Sequence, residues 1–228
     1  MYRATTVFLV FLVCVYLGFS NISFPDITKQ SSGYIGPVVE KQRFLFVGDI
    51  MLGRYVETLI KEGKEVAYVL KSLSPRYDLV FANFEATIPA THVKTPVDSL
   101  KFSVATSSMQ AIVDYVDVVT LANNHSYDFD KEGYSETIDY LKTLDIDSFG
   151  HPYTVSSSSV YTTGDYTGTA RIYAINAIDV GSSSSSTVIN FDSADEGEYF
   201  NIVYVHWGNE YEIIHSPDQQ VLARRLID

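Results

Sequence analysis

Four apolar stretches of this sequence each end in residues that bind metals or transfer protons. In chain order, these residues are Asp49, Asn83 with Glu85, Asn124 with His125, and His206. Carboxylate, amide and imidazole groups without a thiolate form the mixed oxygen and nitrogen ligand set that suits Mn, Fe or Zn. The pattern therefore predicts one divalent-metal site assembled from four separate parts of the chain.

Each of these residues also has a purely structural interpretation. Asp49 fits a turn or the N-cap of a helix. Asn83 and Glu85 fit a solvated strand end, and His206 fits a satisfied histidine at the edge of the core. Asn124–His125 is harder to explain in this way, because amide and imidazole groups that are buried without partners cost free energy.

The polar residues follow the strands of a fold in which strands and helices alternate. Apolar runs predict strands over residues 43–47, 78–82, 117–121, 170–178, 187–191 and 200–206. Helical spacing of apolar residues predicts helices over residues 55–73, 108–115 and 131–144, and a last helix from residue 217. This alternation predicts an α/β fold with a largely parallel sheet, in which ligands bind beyond the carboxyl ends of the strands.

Residues 1–24 form a predicted export or anchor segment. Arg3 precedes an uncharged stretch from Ala4 to Ser20, and two interpretations stay open. A cleaved signal peptide would use the small-x-small segment Gly18-Phe19-Ser20 as its cleavage site, whereas an uncleaved signal anchor would keep Arg3 on the cytoplasmic side. In both cases residues 25–42 are predicted to be a tether, and one domain over residues 43–228 is expected outside the cytoplasm.

The composition excludes several kinds of partner and of site. The 228 residues include 16 basic and 28 acidic side chains, and the net charge of −12 argues against nucleic acid, whose phosphates require a basic surface. A small phosphorylated substrate is not excluded, because a metal ion would supply positive charge locally. The single cysteine, Cys14, excludes an intramolecular disulfide and a cysteine-rich zinc site.

Several segments of the chain resemble the CapA-type bacterial capsule synthesis proteins, also called poly-γ-glutamate synthesis proteins. The segments are Gly-Asp at 48–49, Asn-Phe-Glu at 83–85, Ala-Asn-Asn-His at 122–125 and His-Trp-Gly-Asn-Glu-Tyr at 206–211. Lys-Phe at 101–102 is similar to the family's stretch between its second and third motifs. The resemblance runs in order from about residue 43 to the end of the chain.

The resemblance implies a metallophosphoesterase-like β-sandwich flanked by helices, with two divalent metal ions that clamp a phosphoryl group. The metal ligands that it implies are Asp49, Glu85 or Asn83, Asn124 and His206. His125 would stabilise the transition state or protonate the leaving oxygen. Arg54 is the candidate contact for a substrate anion or else a surface arginine. Asp128 either orients His125 next to the substrate or forms a turn.

Two departures from the family pattern bear on activity. Met51 occupies the place of a second ligand in the first motif, and a thioether is a poor ligand for these metals. A final Gly-x-His-Pro-His-like segment is absent. We therefore expect this sequence to be a C-terminally truncated fragment that binds metal weakly and is inactive.

Two classes of function follow from these expectations. The first is an accessory protein at the outer face of the membrane, whose partners are an anionic polymer or the membrane subunits of a polymer synthase. Binding a polyanion would then require metal bridging or a local basic patch, for which Arg54, Lys94 and Lys101 are scattered candidates. The alternative is an active metal-dependent phosphoesterase or other hydrolase.

Overall fold

The computed structural model describes residues 8–9, 42–96, 98–156, 159–165, 168–178 and 199–227. The predicted leader or anchor lies outside this part of the chain except at Phe8–Leu9, a two-residue strand (β1). The predicted tether, apart from its last residue, and the strand predicted over 187–191 also lie outside it. In the ranges given above, no helix has the length and apolar character needed to cross a membrane.

A four-stranded parallel sheet carries most of the predicted strand-end residues. Its strands, which follow each other in space as in sequence, are β2 (Phe44–Ile50), β3 (Leu79–Phe84), β4 (Val118–Thr120) and β5 (Asp147–Phe149). β3 and β4 are buried almost throughout, which is why their sequences are continuous apolar runs rather than alternating ones. Because all four strands are parallel, their carboxyl ends lie along one edge.

Helices follow the strands of this first sheet. They are α1 (Arg54–Lys61), α2 (Tyr68–Leu73) and α3 (Asp130–Thr143). The single helix predicted over 55–73 is wrong, because Gly63 adopts a left-handed φ of 71° and its N–H bonds to Ile60 O, which ends α1. The helix predicted over 108–115 is instead a short 3₁₀ helix at Thr106–Ala111.

A second sheet supplies His206. Its strands are β6 (Val160–Asp165), β7 (Gly168–Asn176) and β8 (Tyr199–His206), and its order in space is β1-β8-β7-β6. β8 runs parallel to both neighbours, whereas β6 is antiparallel to β7. A last helix, α4 (Pro217–Ile227), packs Leu226 against Tyr173 and Val203 of this sheet.

The two sheets pack face to face through an apolar layer. Phe81 of β3 is fully buried, and its ring stacks on that of Phe46 with centroids 4.8 Å apart. Ile172 of β7 faces this layer, whereas its neighbour Tyr173 faces α4, as the alternation of a strand requires. The arrangement confirms the predicted α/β sandwich flanked by helices.

Candidate functional site

The polar ends of three strands meet at one edge of the sandwich. Asn83, near the end of β3, donates through Nδ2 to Asp49 Oδ1 of β2 at 2.6 Å. The same Nδ2 lies 3.1 Å from Nδ1 of His206, the last residue of β8. His206 Nδ1 is also 3.3 Å from Asp49 Oδ1. The structure thus brings residues of both sheets into one group, which we call the strand-end cluster.

The loops after β3 and β4 complete this cluster. Asn124 Oδ1 lies 2.8 Å from His206 Nε2, so the His206 imidazole bridges Asp49 and Asn124. Glu85 stands between two histidines, with Oε1 3.8 Å from Nε2 of His206 and 3.8 Å from Nε2 of His125. Every residue that the four strand ends nominate is therefore part of the cluster.

Asn123, to which the sequence motifs assign no role, organises the cluster. Its side chain is fully buried, and its Nδ2 donates to Phe84 O at 2.9 Å and to Asn83 Oδ1 at 3.0 Å. Its Oδ1 accepts from the His125 N–H and from the Ser126 hydroxyl, each at 3.0 Å. Because a backbone carbonyl only accepts and a backbone N–H only donates, these partners fix which way the Asn123 amide points.

The orientation of Asn83 follows from that of Asn123. Asn123 presents a donor, so Asn83 must turn its Oδ1 toward it, and the Nδ2 amide group of Asn83 faces Asp49 and His206. Asn83 is thus a donor within the cluster in this arrangement, and its predicted role as a metal ligand stays a prediction. The sequence signal for this organisation is the pair of adjacent asparagines, of which Asn123 points inward and Asn124 toward the cluster.

Asp128 orients His125. Its Oδ2 lies 2.8 Å from His125 Nδ1 and accepts the backbone N–H of Phe102 at 2.6 Å. An ionised carboxylate only accepts, so Nδ1 carries a proton, and Nε2 is the nitrogen that faces Glu85 and the rest of the cluster. The Phe102 ring stacks on the His125 imidazole with centroids 3.9 Å apart. A direct contact between Asp128 and a substrate stays a prediction.

Arg54 lies next to this stacked pair. It begins α1 with a left-handed φ of 54°, and its guanidinium carbon is 5.6 Å from the centroid of the Phe102 ring. The preceding Gly53 allows two backbones to approach closely, since a Cβ there would lie 2.8 Å from Ser103 O. The loop that follows Asp49 therefore packs directly on the segment that carries Phe102, while the contact of Arg54 with a substrate anion stays a prediction.

The two carboxyl groups of the cluster have pKa values displaced in opposite directions. Partial burial works against ionisation of Asp49, but the hydrogen bond and charge of His206, with the hydrogen bond from Asn83, bring the Asp49 pKa below its usual range. Burial raises the pKa of Glu85, and the negative charge of Asp49 raises it further. The charges of His206 and His125 act in the opposite direction on the Glu85 pKa but do not offset burial and Asp49.

The donor chemistry of the cluster fits a divalent cation. Asp49, Glu85 and Asn124 offer oxygens and His206 offers a ring nitrogen, a set that suits Mn, Fe or Zn. Within the described ranges, no three His, Cys, Asp or Glu side chains converge as a complete ligand group, so an amide oxygen such as that of Asn124 would have to contribute. Met51 turns its Sδ to the Gly53 N–H at 3.1 Å.

Comparison with known proteins identifies a family and two relatives to which this chain is similar. The family model described as bacterial capsule synthesis protein PGA_cap matches residues 43–199. Capsule biosynthesis protein CapA of Bacillus anthracis is 27% identical over 215 residues, which cover 83% of this chain and 52% of that protein. PGA biosynthesis protein CapA of Bacillus subtilis (strain 168) is 26% identical over 205 residues, which cover 80% and 53%. The chain spans about half the length of both relatives.

Among solved structures, a hypothetical protein from Thermus thermophilus aligns with 60% of this chain and 46% of its own, at 21% identity and a TM-score of 0.35. That structural similarity is too low to bear on function. The family model, in contrast, spans well over half of the chain and includes the segments at 48–49, 83–85 and 122–125. As those segments predict, this protein belongs to the bacterial capsule synthesis (PGA_cap) family.

Proposed function

We propose that this protein binds divalent metal at the strand-end cluster and serves the synthesis or export of an anionic capsule or poly-γ-glutamate polymer outside the cytoplasm. The names of the two relatives, which refer to capsule and PGA biosynthesis, support the process. One observation supports the metal site above all others. Asp49 of β2 and Asn124 of the loop after β4 converge on His206 of β8, although 157 and 82 residues separate them from it in sequence.

Four side chains would hold the metal, namely Asp49, Glu85, Asn124 and His206. When bound, the ion supplies Lewis acidity toward an anionic oxygen and neutralises negative charge. That neutralisation matters because a protein with a net charge of −12 repels a polyanion in bulk. The two ions that the family resemblance implies are part of this proposal, and the measured stoichiometry tests their number.

Metal content is the direct test. The protein is dialysed to equilibrium against Mn²⁺ or Zn²⁺ and analysed for bound metal, beside the double variant Asp49→Ala/His206→Ala. The matched control is Asp114→Ala/His215→Ala, which removes the same two residue types from exposed positions. We expect the control to retain wild-type metal and the cluster variant to lose it. Equal metal content in the wild type and the cluster variant would contradict the proposal.

Metal-dependent hydrolysis of a phosphoester is the second candidate function. The geometry of His125 favours it, because Asp128 accepts from Nδ1–H and leaves Nε2 to carry, in the imidazolium form, the proton that goes to a leaving oxygen. Phosphomonoesters and phosphodiesters are tested with Mn²⁺, and His125→Ala should lower turnover by about 10²- to 10⁴-fold, the usual contribution of general acid catalysis. Absence of turnover in the wild type, or turnover that His125→Ala leaves unchanged, favours the accessory role.

We also propose an extracytoplasmic location, with residues 1–24 as a membrane anchor or a cleaved leader, and polymer-synthase membrane subunits as partners. An anchor helix across Phe8–Leu9 is incompatible with the pairing of these residues beside Ile202 and Val203 of β8. Deleting residues 1–24 separates the two arrangements. Loss of membrane association with an unchanged free energy of unfolding supports the anchor, whereas a less stable soluble protein supports the strand.

A further inference from the structure

A buried carboxylate outside the strand-end cluster has no role in the proposed function. Glu57 of α1 is fully buried, and its Oε1 accepts from Lys61 Nζ at 2.5 Å and from His92 Nε2 at 3.3 Å. Its Oε2 is buried without a hydrogen-bond partner. Burial of an ionised carboxylate costs desolvation free energy, so the buried Glu57 requires an explanation beyond local packing.

His92 connects this carboxylate to Ser103. Its Nδ1 lies 2.7 Å from Ser103 Oγ, so Nε2–H donates to Glu57 while Nδ1 shares a hydrogen bond with the Ser103 hydroxyl. Serine, histidine and glutamate in this order also form nucleophilic triads. Ser103 is fully buried, however, and no substrate can reach it there. The chain Glu57–His92–Ser103 is therefore a support rather than a second active site.

The residue next to Ser103 is Phe102, which stacks on His125. Both are tied to Thr87, whose N–H donates to Phe102 O at 2.9 Å and whose hydroxyl donates to His125 O at 3.0 Å. The Phe102 N–H donates in turn to Asp128, which also holds His125. The backbone on which the Phe102 ring stands is thus fixed on both sides of the residue.

We propose that Phe102 is a positioning residue for His125 and that the buried chain Glu57–His92–Ser103 holds Phe102 against the imidazole. The hydrogen bond from Nδ1 to Asp128 fixes the direction of the ring, but rotation about χ2 is broad for an imidazole. A second ring stacked at 3.9 Å fixes its plane. The functional consequence rests on the proposed role of His125, since displacement of a reacting group by about 1 Å costs on the order of 10²-fold in rate.

A spectroscopic test reads this arrangement without metal or substrate. The chain has five histidines, so ¹³C labelling of imidazole Cε1 gives five NMR signals that His→Gln variants assign. Phe102→Leu should remove the ring-current shift of the His125 signal, and Phe102→Tyr should keep it. Glu57→Gln and His92→Gln, which do not touch His125, should move the same signal in the same direction. Leu100→Ala, at an exposed position of the same segment, is the matched control.

The outcomes separate this inference from the proposed function. A His125 signal that Phe102→Leu leaves in place, or that Leu100→Ala moves equally, overturns the positioning role. Wild-type signals in both Glu57→Gln and His92→Gln overturn the supporting chain, and either variant suffices if the other does not fold. With a hydrolysable substrate, Phe102→Leu should lower kcat about tenfold or more at unchanged KM, and Phe102→Tyr should restore it. Lack of hydrolysis counts against the second candidate function alone, because the NMR result does not depend on it.

Discussion

Glu57 and Glu85 both lie beside histidines, yet their surroundings displace the pKa of the carboxyl group in opposite directions. Burial works to raise the pKa of each carboxyl. At Glu57, the hydrogen bond from Lys61 and the charge of His92 outweigh burial, and the Glu57 pKa falls below its usual range. At Glu85, the charge of Asp49 adds to burial, and the Glu85 pKa rises.

This difference in pKa distinguishes a carboxylate that stabilises the framework from a carboxylate at the proposed metal site. The fully buried Glu57 has its compensating cations within the chain. Glu85, whose side chain is 19% exposed, lies at the edge of the sandwich, where the charges of His206 and His125 do not offset burial and the charge of Asp49. Displaced ionisation at such an edge is typical of sites that take up a ligand. The raised pKa of Glu85 is thus in keeping with the proposed metal site, whereas Glu57 is part of the framework.

The largest effect is expected for Glu57→Gln. This change keeps the shape of the side chain but removes the charged acceptor that Lys61 and His92 share. Since hydrogen bonds to a charged group contribute about 1.5–3 kcal/mol, we expect the free energy of unfolding to fall by about that amount. Urea unfolding at pH 7 measures it. A variant as stable as the wild type would show that the buried charge is not structural.

Glu85→Gln is expected to act in the opposite direction. Without metal, it removes a charge that Asp49 repels, so the free energy of unfolding at pH 7 should rise by up to about 1 kcal/mol. When Mn²⁺ or Zn²⁺ is added, binding of the metal to the folded state should raise the free energy of unfolding of the wild type, and the rise should be smaller in the variant. Thermal unfolding with and without metal measures both. Destabilisation without metal would place Glu85 with the framework and end the distinction from Glu57.

The pH dependence of the free energy of unfolding should show contributions of opposite sign from Glu57 and Glu85. The folded-state pKa of Glu57 is lowered, so its contribution to stability is present above the ordinary value of 4.5 and is lost as the pH falls through the folded pKa. The folded-state pKa of Glu85 is raised, so its penalty is absent below 4.5 and develops as the pH rises through the folded pKa. The measurement is the free energy of unfolding of the wild type and of both Gln variants between pH 3 and 7. The differences from the wild type should have opposite signs for the two variants, and both differences should become smaller as the pH falls.

Much of the fold and of the strand-end cluster follows from local sequence. Continuous apolar runs predict β2, β3, β4 and β8, because buried parallel strands are apolar on both faces. The polar residues that end these runs identify the cluster, since parallel strands share one carboxyl edge. Three of the described strands escaped prediction, namely β1, which lies within the predicted leader or anchor, β5 and β6. β5 has a single buried residue, Phe149, and β6 is an edge strand rich in threonine and glycine, so neither shows an apolar run.

The contacts that orient the cluster are not local and could not be predicted in this way. His92 lies 35 residues from Glu57, in a loop without periodicity, and nothing in its surroundings distinguishes it from an exposed histidine. Asn123 differs from Asn124 only in the direction of its side chain, which the packing of β3 against the following loop decides. The sequence therefore predicts which groups form the strand-end cluster, whereas tertiary contacts determine which groups hold them in place.

The smallest effect is expected for Glu65→Gln, which breaks the surface counterpart of the Lys61–Glu57 pair. Lys71 Nζ lies 3.3 Å from Glu65 Oε2, with side chains that are 57% and 51% exposed. Both charges keep their hydration and are screened by salt, so such pairs contribute little. We expect the urea midpoint of Glu65→Gln to match that of the wild type with or without added salt. If Glu65→Gln instead lowered the free energy of unfolding as much as Glu57→Gln, the burial of Glu57 would not be what makes its pair with Lys61 structural, and the contrast with Glu85 would lose its physical basis.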